Sequence, residues 1–392
     1  MRLIEQALLA QGIGVETATT DDDGPGRHMA NLGGGSPTRG STGAVRHYFP
    51  KRLEFYKVSP GFARWIFWHV RDYDVVHIHA LFTFTSVVAA WAARRAGVPY
   101  VVRPLGTLNQ YGVTQRRPWL KRLSLKMVEG PILRHAAVVH FTAEAEQHEA
   151  ETLGVPMHDA VVPLGIAPLP KQDASLFLSR FPQLTLRRVV LFLSRLDPKK
   201  NVEGLLRAFS LVSESLQHTR LVIAGGGEAE YVAGLKQLAD ELGLGDHVVW
   251  TGFIDGEMKA SAYAAAQVFV LPSFSENFGI AAAEALMAGL PCMLGKGVAI
   301  ANEIAEAGAG IAVEPDPESI AQGLRMVLTD DTLRASMANR TAGLAREKYS
   351  VEAMGLGLMG LYESILQNHE QESGMPIRGR RAEGQKAGAS AK

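Results

Sequence analysis

Two glutamates, Glu276 and Glu284, have residue types and a spacing that could bind one polar ligand. Residues 268–271 are an apolar run, which predicts a buried parallel strand. The Ala-rich segment 280–288 predicts a helix that ends at a glycine and a proline. Glu276 then lies in the loop between strand and helix, and Glu284 lies on the second helical turn. A helix N-terminus at the carboxyl end of a parallel strand can bind phosphate.

Positive charge for such a ligand would come from Arg195 and Lys200. Arg195 directly follows the apolar run 189–194, which predicts another strand, and a helix is predicted from residue 202. A guanidinium, an ammonium and the N–H groups of a helix N-terminus could together neutralise a diphosphate without a metal ion. Carboxylates accept hydrogen bonds from hydroxyl groups, so Glu284 suits a ribose and Glu276 suits a sugar. A nucleotide-sugar requires this combination of groups.

Strand and helix patterns alternate along most of the chain, which predicts an α/β fold with parallel, doubly wound sheets. Further strands are predicted at 15–19, 75–80, 100–103, 136–141, 160–162, 220–224, 248–250, 292–294 and 311–313. Ligands of such sheets bind at the carboxyl ends of the strands. The Arg195 segment, the glycine turn 225–227, the turn 252–253 and the loop 276–279 all follow strands, so we expect them along one edge.

Composition excludes several classes of protein. The 392 residues are 47% hydrophobic and 20% charged, which is typical of a globular chain long enough for two domains. The formal net charge is zero, so no overall basic field suggests a nucleic-acid partner. A single cysteine, Cys292, excludes an intramolecular disulfide and a cysteine-rich metal site, and its apolar context predicts a buried side chain. No secretory signal or membrane-spanning run is found, so a cytoplasmic location is predicted.

Motifs for other cofactors fail. The turn 225–227 lacks the third glycine of a dinucleotide fingerprint because Glu230 occupies that position. The segment 289–296 has one residue too many for a phosphate loop. The Asp72–Tyr–Asp74 pattern precedes its strand, which is the wrong end for a site, and His77 and His79 have no evident third ligand. We therefore predict no metal and no cofactor, with the nucleotide-sugar as a substrate.

With these motifs the chain resembles the family 4 retaining glycosyltransferases of the GT-B fold, over nearly everything from Met1 to Leu366. The most specific marker is the pair Glu276 and Glu284, with Phe278-Gly279 after the first glutamate. Supporting motifs are Ser194-Arg-Leu with Lys200, Ala224-Gly-Gly-Gly, Thr251-Gly-Phe and Glu284-Ala-Leu-Met-Ala-Gly-Leu-Pro291.

The resemblance implies two Rossmann-like domains that face each other across a cleft, and transfer of a sugar with retained anomeric configuration. It assigns Arg195 and Lys200 to the donor phosphates and the leaving group, Glu276 to the donor sugar, and Glu284 to the ribose. The catalytic candidates are thus Glu276, Arg195 and Lys200. The donor-binding candidates are Gly252, Phe253, Ile254, Asn277, Phe278, Gly279, Ile280 and Glu284.

The sequence departs from the family pattern in three ways. The sequence starts in a helix, where such domains start with a strand and a Gly-Gly loop, so we expect either an internal start or a trimmed domain. Leu105 stands where many members have the histidine of a His-Gly pair, and Leu164 precedes Gly165 where asparagine is common. The acceptor-side candidates are Arg103, Leu105 and Gly106.

The expected organisation has four parts. Residues 1–168 form the acceptor-side domain, which lacks its first strand, and residues 169–348 form the nucleotide-sugar domain. Residues 349–370 form a helix that packs back on the first domain, and 371–392 form a disordered basic tail. Within the first domain, residues 21–43 are rich in Asp, Gly, Ser and Thr and predict a mobile loop.

Two segments could contact a membrane. The stretch from Arg116 to Lys126 is basic and amphipathic, which suits anionic lipid headgroups or phosphate-bearing acceptors, and a solvated helix explains it equally well. Residues 62–70 are aromatic-rich, and there a helix packed on the sheet is favoured over a face for an acceptor or a membrane.

The sequence thus predicts a metal-independent glycosyltransferase of surface-polysaccharide biosynthesis, with a glycan or polyprenyl-linked acceptor and a peripheral place at the inner membrane face. One alternative is a GT-B-like enzyme such as a nucleotide-sugar epimerase. Another is a truncated, non-catalytic nucleotide-sugar-binding or scaffold protein. Retention of Glu276, Arg195 and Lys200 together argues against the scaffold.

Overall fold

The computed structural model describes residues 1–24, 26–29, 37–108, 119, 123–170 and 173–374. The chain divides into two compact units. Unit 1 comprises Met1–Pro163 and the residues from Met354 onward, and unit 2 comprises Leu164–Ala353. Both units are built mainly from parallel strands flanked by helices, which confirms the predicted α/β class.

Unit 1 contains two sheets. Strands β1 to β7 are Glu16–Thr20, Pro37–Arg39, Val45–Phe49, Val76–His79, Tyr100–Arg103, Val138–Phe141 and Asp159–Val161. The first sheet has the order β1-β3-β2, and the second has the order β4-β5-β6-β7 with all strands parallel. The helices are α1 (Arg2–Ala10), α2 (Pro60–His69), α3 (Phe84–Ala96), then Gly130–His135, Glu144–Glu151 and Val351–Ser373, the last of which belongs to unit 1 from Met354.

Local signals in the sequence set the ends of α2 and α3. Ser59 caps α2 by accepting a hydrogen bond from Phe62 N, and Pro60 occupies the first helical position. Thr83 caps α3 in the same way through Ser86 N, and Gly97 ends it in the left-handed conformation with φ of 71°. The inward faces of both helices pack on a core that includes Val102, Val139 and Phe141.

The prediction of a loop over residues 21–43 was wrong for part of the segment. Residues 37–39 form β2, which pairs antiparallel with β3. The Asp22 carboxylate accepts hydrogen bonds from Lys51 Nζ at 2.6 Å and Lys57 Nζ at 2.9 Å. These long-range contacts order polar residues that carry no apolar period of their own. Pro25 and residues 30–36 lie outside the described residues, as do 375–392 of the predicted tail.

Unit 2 has one six-stranded parallel sheet. Strands β8 to β13 are Arg188–Leu193, Thr219–Ala224, Val248–Gly252, Val268–Leu271, Cys292–Gly295 and Gly310–Val313, in the order β10-β9-β8-β11-β12-β13. The central strands are buried apolar runs, as expected where helices cover both faces, and Cys292 is buried as predicted. The helices are Ser175–Arg180, Val202–Ser213, Ala229–Glu241, Gly256–Ala265, Ile280–Met287, Ala301–Glu306, Pro317–Thr329 and Asp331–Lys348.

Within the described parts of both units, no helix combines the length and apolar character that crossing a bilayer demands.

A buried carboxylate joins α1 to the first sheet. Glu5 is fully buried and accepts hydrogen bonds from Thr17 at 2.8 Å, from Thr42 at 2.7 Å and from Arg46 Nε at 3.0 Å. Burial alone would raise the pKa of Glu5, but hydrogen bonds from Arg46, Thr42 and Thr17 outweigh it, so the pKa lies below its ordinary value. α1 is therefore fixed by an ion pair as well as by apolar contacts.

Replacing this carboxylate should destabilise unit 1. We expect Glu5→Gln to lower the free energy of unfolding of unit 1 by about 3 kcal/mol, because Arg46 keeps a buried charge without its partner. Urea unfolding measures the change. The matched control is Glu314→Gln, whose partner Lys296 is half-exposed, and it should change stability by less than about 1 kcal/mol. Equal stability of Glu5→Gln and wild type would contradict this role.

Candidate functional site

The predicted donor residues lie at one edge of the unit 2 sheet. Arg195 and Lys200 follow β8, the glycine turn 225–227 follows β9, and residues 252–254 end and follow β10. The loop with Glu276 follows β11. These four parallel strands are neighbours in the order β10-β9-β8-β11, so their carboxyl ends form a continuous edge.

Lys200 and Glu276 form an ion pair between Nζ and Oε2. Lys200 ends the short turn Pro198–Lys200, in which the Asp197 carboxylate accepts a hydrogen bond from Lys199 N at 3.1 Å. The backbone joins the two loops directly, because Phe274 N donates to Lys199 O at 2.9 Å. The ammonium and the carboxylate are therefore brought together by the loops that carry them.

Asn201 braces the same loops. Its backbone is left-handed, with φ of 55°, and its side chain is buried. Its Nδ2 donates to Pro272 O at 3.2 Å and to Pro315 O at 2.6 Å, and these carbonyls follow β11 and β13. The residue after Lys200 thus holds the Lys200 turn against the ends of two other strands.

Opposing effects act on the pKa of Lys200. Burial and the neighbouring guanidinium of Arg195 lower the pKa of Lys200 to about 8. Contact with the Glu276 carboxylate favours the charged ammonium and acts in the opposite direction. An anionic ligand placed beside Lys200 would have the same stabilising effect on its charge.

Arg195 differs from Lys200 in its exposure. Its side chain is 75% exposed, and Asp197 Oδ2 lies 3.9 Å from its guanidinium. The guanidinium is therefore accessible to a ligand at the sheet edge while it remains close enough to Lys200 to affect its pKa.

The glycine turn packs directly against the Arg195 segment. A Cβ on Gly225, whose φ is 149°, would lie 1.8 Å from Ser194 O, and a Cβ on Gly227 would lie 2.3 Å from Leu196 O. Leu196 N donates to Gly226 O at 2.8 Å across this contact. Only glycine permits this approach. The glycines that failed as a dinucleotide fingerprint thus allow two strand ends to meet.

The Glu276 loop is held on its other side by the segment after β12. Glu276 N donates to Gly297 O at 2.9 Å, and Ala299 N donates to Glu276 O at 3.1 Å. Phe278 is buried against Tyr349, with ring centroids 5.7 Å apart. Gly279 then starts the helix Ile280–Met287 with φ of 101°. Asn277 also lies in this loop, and Ile280 is exposed at the start of the helix.

Glu284 has two partners that the sequence did not reveal. Lys259 Nζ donates to Glu284 Oε1 at 2.6 Å, and the Tyr263 hydroxyl lies 3.1 Å from Glu284 Oε2. Both partners lie on the helix Gly256–Ala265, four residues apart, and no motif marks them. A carboxylate has about four acceptor positions, so each Glu284 oxygen keeps room for a further hydrogen bond.

The turn after β10 presents an aromatic ring. Gly252, with φ of 70°, ends the strand, and its carbonyl accepts a hydrogen bond from Gly225 N at 2.9 Å. Phe253 is 77% exposed, and Ile254 follows it. An exposed ring at this edge can stack on a planar ligand group.

The acceptor-side candidates lie together at the carboxyl end of β5 in unit 1. Arg103 is buried, whereas Leu105 is 43% exposed. Leu105 and Gly106 are both left-handed, with φ of 56° and 70°. Gly106 N donates to Glu146 Oε1 at 2.9 Å, so the buried Glu146, which sequence reasoning missed, anchors this turn.

Three histidines lie on strands of the same sheet: His140 is buried, and His77 and His79 are partly buried. His77 Nδ1 lies 2.7 Å from the Tyr362 hydroxyl, and His140 Nε2 lies 2.9 Å from Val162 O. Burial lowers the pKa of His140 to about 4. Burial together with neighbouring charges also lowers the pKa values of His77 and His79 well below the ordinary range. Among the described residues, no group of three His, Cys, Asp or Glu side chains could share a metal ion.

The basic segment from Arg116 to Lys126 lies mostly outside the described residues, which omit 109–118 and 120–122. Within the segment, Trp119 is 67% exposed and Leu123 is 53% exposed, and Met127, which follows it, is 66% exposed. The helical turn Leu125–Glu129 is anchored by the buried Glu129, which accepts hydrogen bonds from Tyr56 at 3.0 Å and Ser124 at 2.7 Å.

Comparisons with solved structures agree with this architecture. The fold is similar to that of sucrose-phosphate synthase from Thermosynechococcus elongatus, with a TM-score of 0.70 and 22% identity over 93% of this chain and 92% of that one. It is also similar to Anabaena HepE in complex with UDP and glucose, with a TM-score of 0.70 and 19% identity over 93% and 95% of the two chains.

Sequence comparisons identify the family. A family model described as "Glycosyl transferase 4-like domain" matches residues 1–165, and one described as "Glycosyl transferases group 1" matches residues 180–343. An uncharacterized glycosyltransferase of Methanocaldococcus jannaschii is 34% identical over 181 residues, and this match spans about half of each protein, 46% of both.

A phosphatidyl-myo-inositol mannosyltransferase of Mycobacterium leprae is 30% identical over 308 residues, which cover 75% of this chain and 74% of that protein. Together with the two-unit α/β architecture, these matches establish that the chain belongs to the family 4 glycosyltransferases of the GT-B fold.

Proposed function

We propose that the chain transfers a sugar from a nucleotide-sugar donor to a glycan or lipid-linked acceptor, with retention and without a metal ion. The observation that carries this proposal is the Lys200–Glu276 ion pair beside the exposed Arg195, at the carboxyl edge of the unit 2 sheet. This edge offers two cations for a diphosphate and a carboxylate for sugar hydroxyls within one cluster.

The donor would extend along this edge. Arg195 and Lys200 bind its phosphates, with the start of the helix Ile280–Met287 contributing N–H groups. Glu276 and the backbone of Asn277–Gly279 hold the sugar, Glu284 binds the ribose, and residues 252–254 contact the base. A structural neighbour that binds UDP and glucose supports a nucleoside diphosphate of this kind.

In the proposed reaction, the bond between the sugar C1 and the diphosphate oxygen breaks, and a bond from an acceptor oxygen to C1 forms. Negative charge develops on the departing phosphate, where Arg195 and Lys200 stabilise it. The acceptor attacks the face that the leaving group departs from, and its proton passes to the departing phosphate oxygen. No enzyme nucleophile is required, so Glu276 serves to hold the sugar.

On the acceptor side, we propose that the exposed Leu105 contacts the acceptor, and that buried Arg103 and Gly106 support this turn from within unit 1. The acceptor is a glycan or a polyprenyl-linked sugar of surface-polysaccharide biosynthesis. The chain reaches a lipid-linked acceptor at the inner membrane face through the basic segment from Arg116 to Lys126. Exposed Leu123 and Met127, with exposed Lys126, support this contact.

The test of the proposed function is a screen of UDP-, GDP- and ADP-sugars for thermal stabilisation and for nucleotide release. We expect one nucleotide class to stabilise the chain and to be turned over. Arg195→Met and Lys200→Met should each lower turnover by roughly 10²–10³, because each removes one donor to the developing charge. Matched controls are Arg207→Met and Lys236→Met, which are exposed on other helices of unit 2 and should retain turnover.

Several outcomes would exclude the proposal. Wild-type rates in both Arg195→Met and Lys200→Met would remove these residues from the mechanism. Interconversion of the donor sugar without an acceptor would indicate an epimerase. Stabilisation by a nucleotide-sugar without turnover under any acceptor condition would indicate a non-catalytic binding protein.

The pKa of Lys200 predicts the pH dependence of activity. Lys200 is charged below about pH 8 and loses its proton as the pH rises through that value, so kcat/KM should fall about tenfold per pH unit above pH 8. Lys200→Arg keeps the charge throughout, so its remaining activity should lack this alkaline fall. An identical alkaline fall in Lys200→Arg would assign it to another group.

The partners of Glu284 predict a specific effect on ribose recognition. Tyr263→Phe removes a hydroxyl beside Glu284, so we expect kcat/KM for the ribonucleotide donor to fall roughly three- to tenfold. The loss should appear as a higher KM with little change in kcat. It should be smaller with the 2′- and 3′-deoxy donors, which lack hydroxyl groups for Glu284. Tyr231→Phe is the matched control, because it removes a hydroxyl bonded to Glu203 at 2.8 Å. Equal losses on ribo- and deoxy-donors would rule out this role.

A further inference from the structure

Three large aromatic side chains are exposed on neighbouring helices of unit 1. Phe67 and Trp68 on α2 are 36% and 76% exposed, and Trp91 on α3 is 60% exposed. The rings of Phe67 and Trp91 meet edge to face, with centroids 4.9 Å apart. We call these three side chains, together with Arg64, Arg94 and Arg95 on the same two helices, the tryptophan face.

The contact between Phe67 and Trp91 joins α2 to α3, but other side chains of these helices form part of the core of unit 1. Phe62 and Ile66 form the buried side of α2. The Trp65 ring packs on the rings of His47 and Phe49, with centroids 4.7 Å and 5.6 Å apart. The prediction of a helix packed on the sheet therefore holds for one side of α2 only. The core side of α3 is supplied by small residues, Ala89, Ala90, Ala92 and Ala93.

The charge around the face has one sign on both helices. Arg64 on α2, and Arg94 and Arg95 on α3, are exposed. Neither Pro60–His69 nor Phe84–Ala96 contains an aspartate or a glutamate. The nearest acidic residues along the chain, Asp72 and Asp74, follow α2, and Asp72 lies 3.1 Å from His69. The whole chain has zero formal net charge, so this positive character is local.

Exposed indoles surrounded by arginines match the chemistry of a lipid headgroup region. Tryptophan partitions to the membrane interface because its ring is apolar and its N–H is polar, and arginine binds anionic headgroups. We propose that the tryptophan face docks on a bilayer surface that contains anionic lipid. This surface is distinct from the segment 116–126, and its docking does not rest on the proposed transfer reaction.

The surroundings of α3 are consistent with a docking side of unit 1. α3 also packs against the turn Phe55–Lys57 and the helix Gly130–His135. Phe55 in that turn is 75% exposed. Its apolar side chain would therefore deepen the contact.

The test is flotation of the full chain with vesicles that contain phosphatidylglycerol, compared with vesicles of phosphatidylcholine alone. We expect wild type to float with the anionic vesicles. We expect Trp68→Ser/Trp91→Ser to bind these vesicles with an affinity that is lower by about tenfold or more. Arg94→Glu/Arg95→Glu should lose binding to a similar extent, and added salt should weaken wild-type binding.

Matched controls use unit 2. Leu211→Ser/Met326→Ser removes apolar side chains that are 52% and 45% exposed, and Arg207→Glu/Arg346→Glu reverses two exposed arginines. Both should float like wild type. Unchanged thermal unfolding and unchanged stabilisation by the donor nucleotide will verify that the tryptophan-face variants are folded.

Three results would overturn the proposal. The first is that the wild-type chain fails to float. The second is that Trp68→Ser/Trp91→Ser floats like wild type. This second result includes the case in which flotation is abolished by Lys121→Glu/Arg122→Glu/Lys126→Glu and not by Trp68→Ser/Trp91→Ser. The third is a wild-type dimer in sedimentation that Trp68→Ser/Trp91→Ser converts to a monomer, because the occupant is then a second copy. Donor turnover without acceptor membranes is measured separately, so loss of docking and loss of the proposed activity are distinguishable.

Discussion

Close packing of backbone between neighbouring strand ends is the constraint on which the candidate site depends. Glycines at 225 and 227 let the turn after β9 touch the carbonyls of Ser194 and Leu196, where any Cβ would collide. A backbone hydrogen bond and the Asn201 side chain then join the Lys200 turn to the end of β11. The Lys200–Glu276 ion pair forms between loops that are already fixed, so little further ordering is required when a ligand binds.

The charges at this edge are arranged for an anion that also carries hydroxyl groups. Lys200 is partly buried and its pKa is lowered, whereas Arg195 extends into solvent. In the proposed mechanism, the negative charge of a diphosphate replaces part of the negative charge that Glu276 places beside Lys200. The Glu276 carboxylate is then available to the sugar. Glu284 keeps its own partners on a separate helix, so the two glutamates can act on different parts of one donor.

Unit 1 combines buried, hydrogen-bonded carboxylates with exposed aromatic side chains. Two buried carboxylates have specific partners: Glu5 pairs with Arg46, and Glu146 accepts a hydrogen bond from Gly106 N. Trp68 and Trp91, by contrast, are mostly exposed, and the Trp91 ring contacts the ring of Phe67. A cluster of exposed aromatic rings beside arginines suits the headgroup region of an anionic bilayer, which is the partner that we propose for it.

The sequence by itself determined the alternating strands and helices, the family, and the residue types along the candidate edge. These features are local: a buried strand is an apolar run, and a helix end is marked by Ser59, Thr83 or Gly97. Only the tertiary structure decided that Lys259 and Tyr263 hold Glu284, that Glu5 pairs with Arg46, that residues 37–39 form a strand, and that Trp68 and Trp91 face outward. These features depend on how elements that are distant in the sequence pack against each other. The local sequence around a residue is the same whether or not that packing brings it a partner.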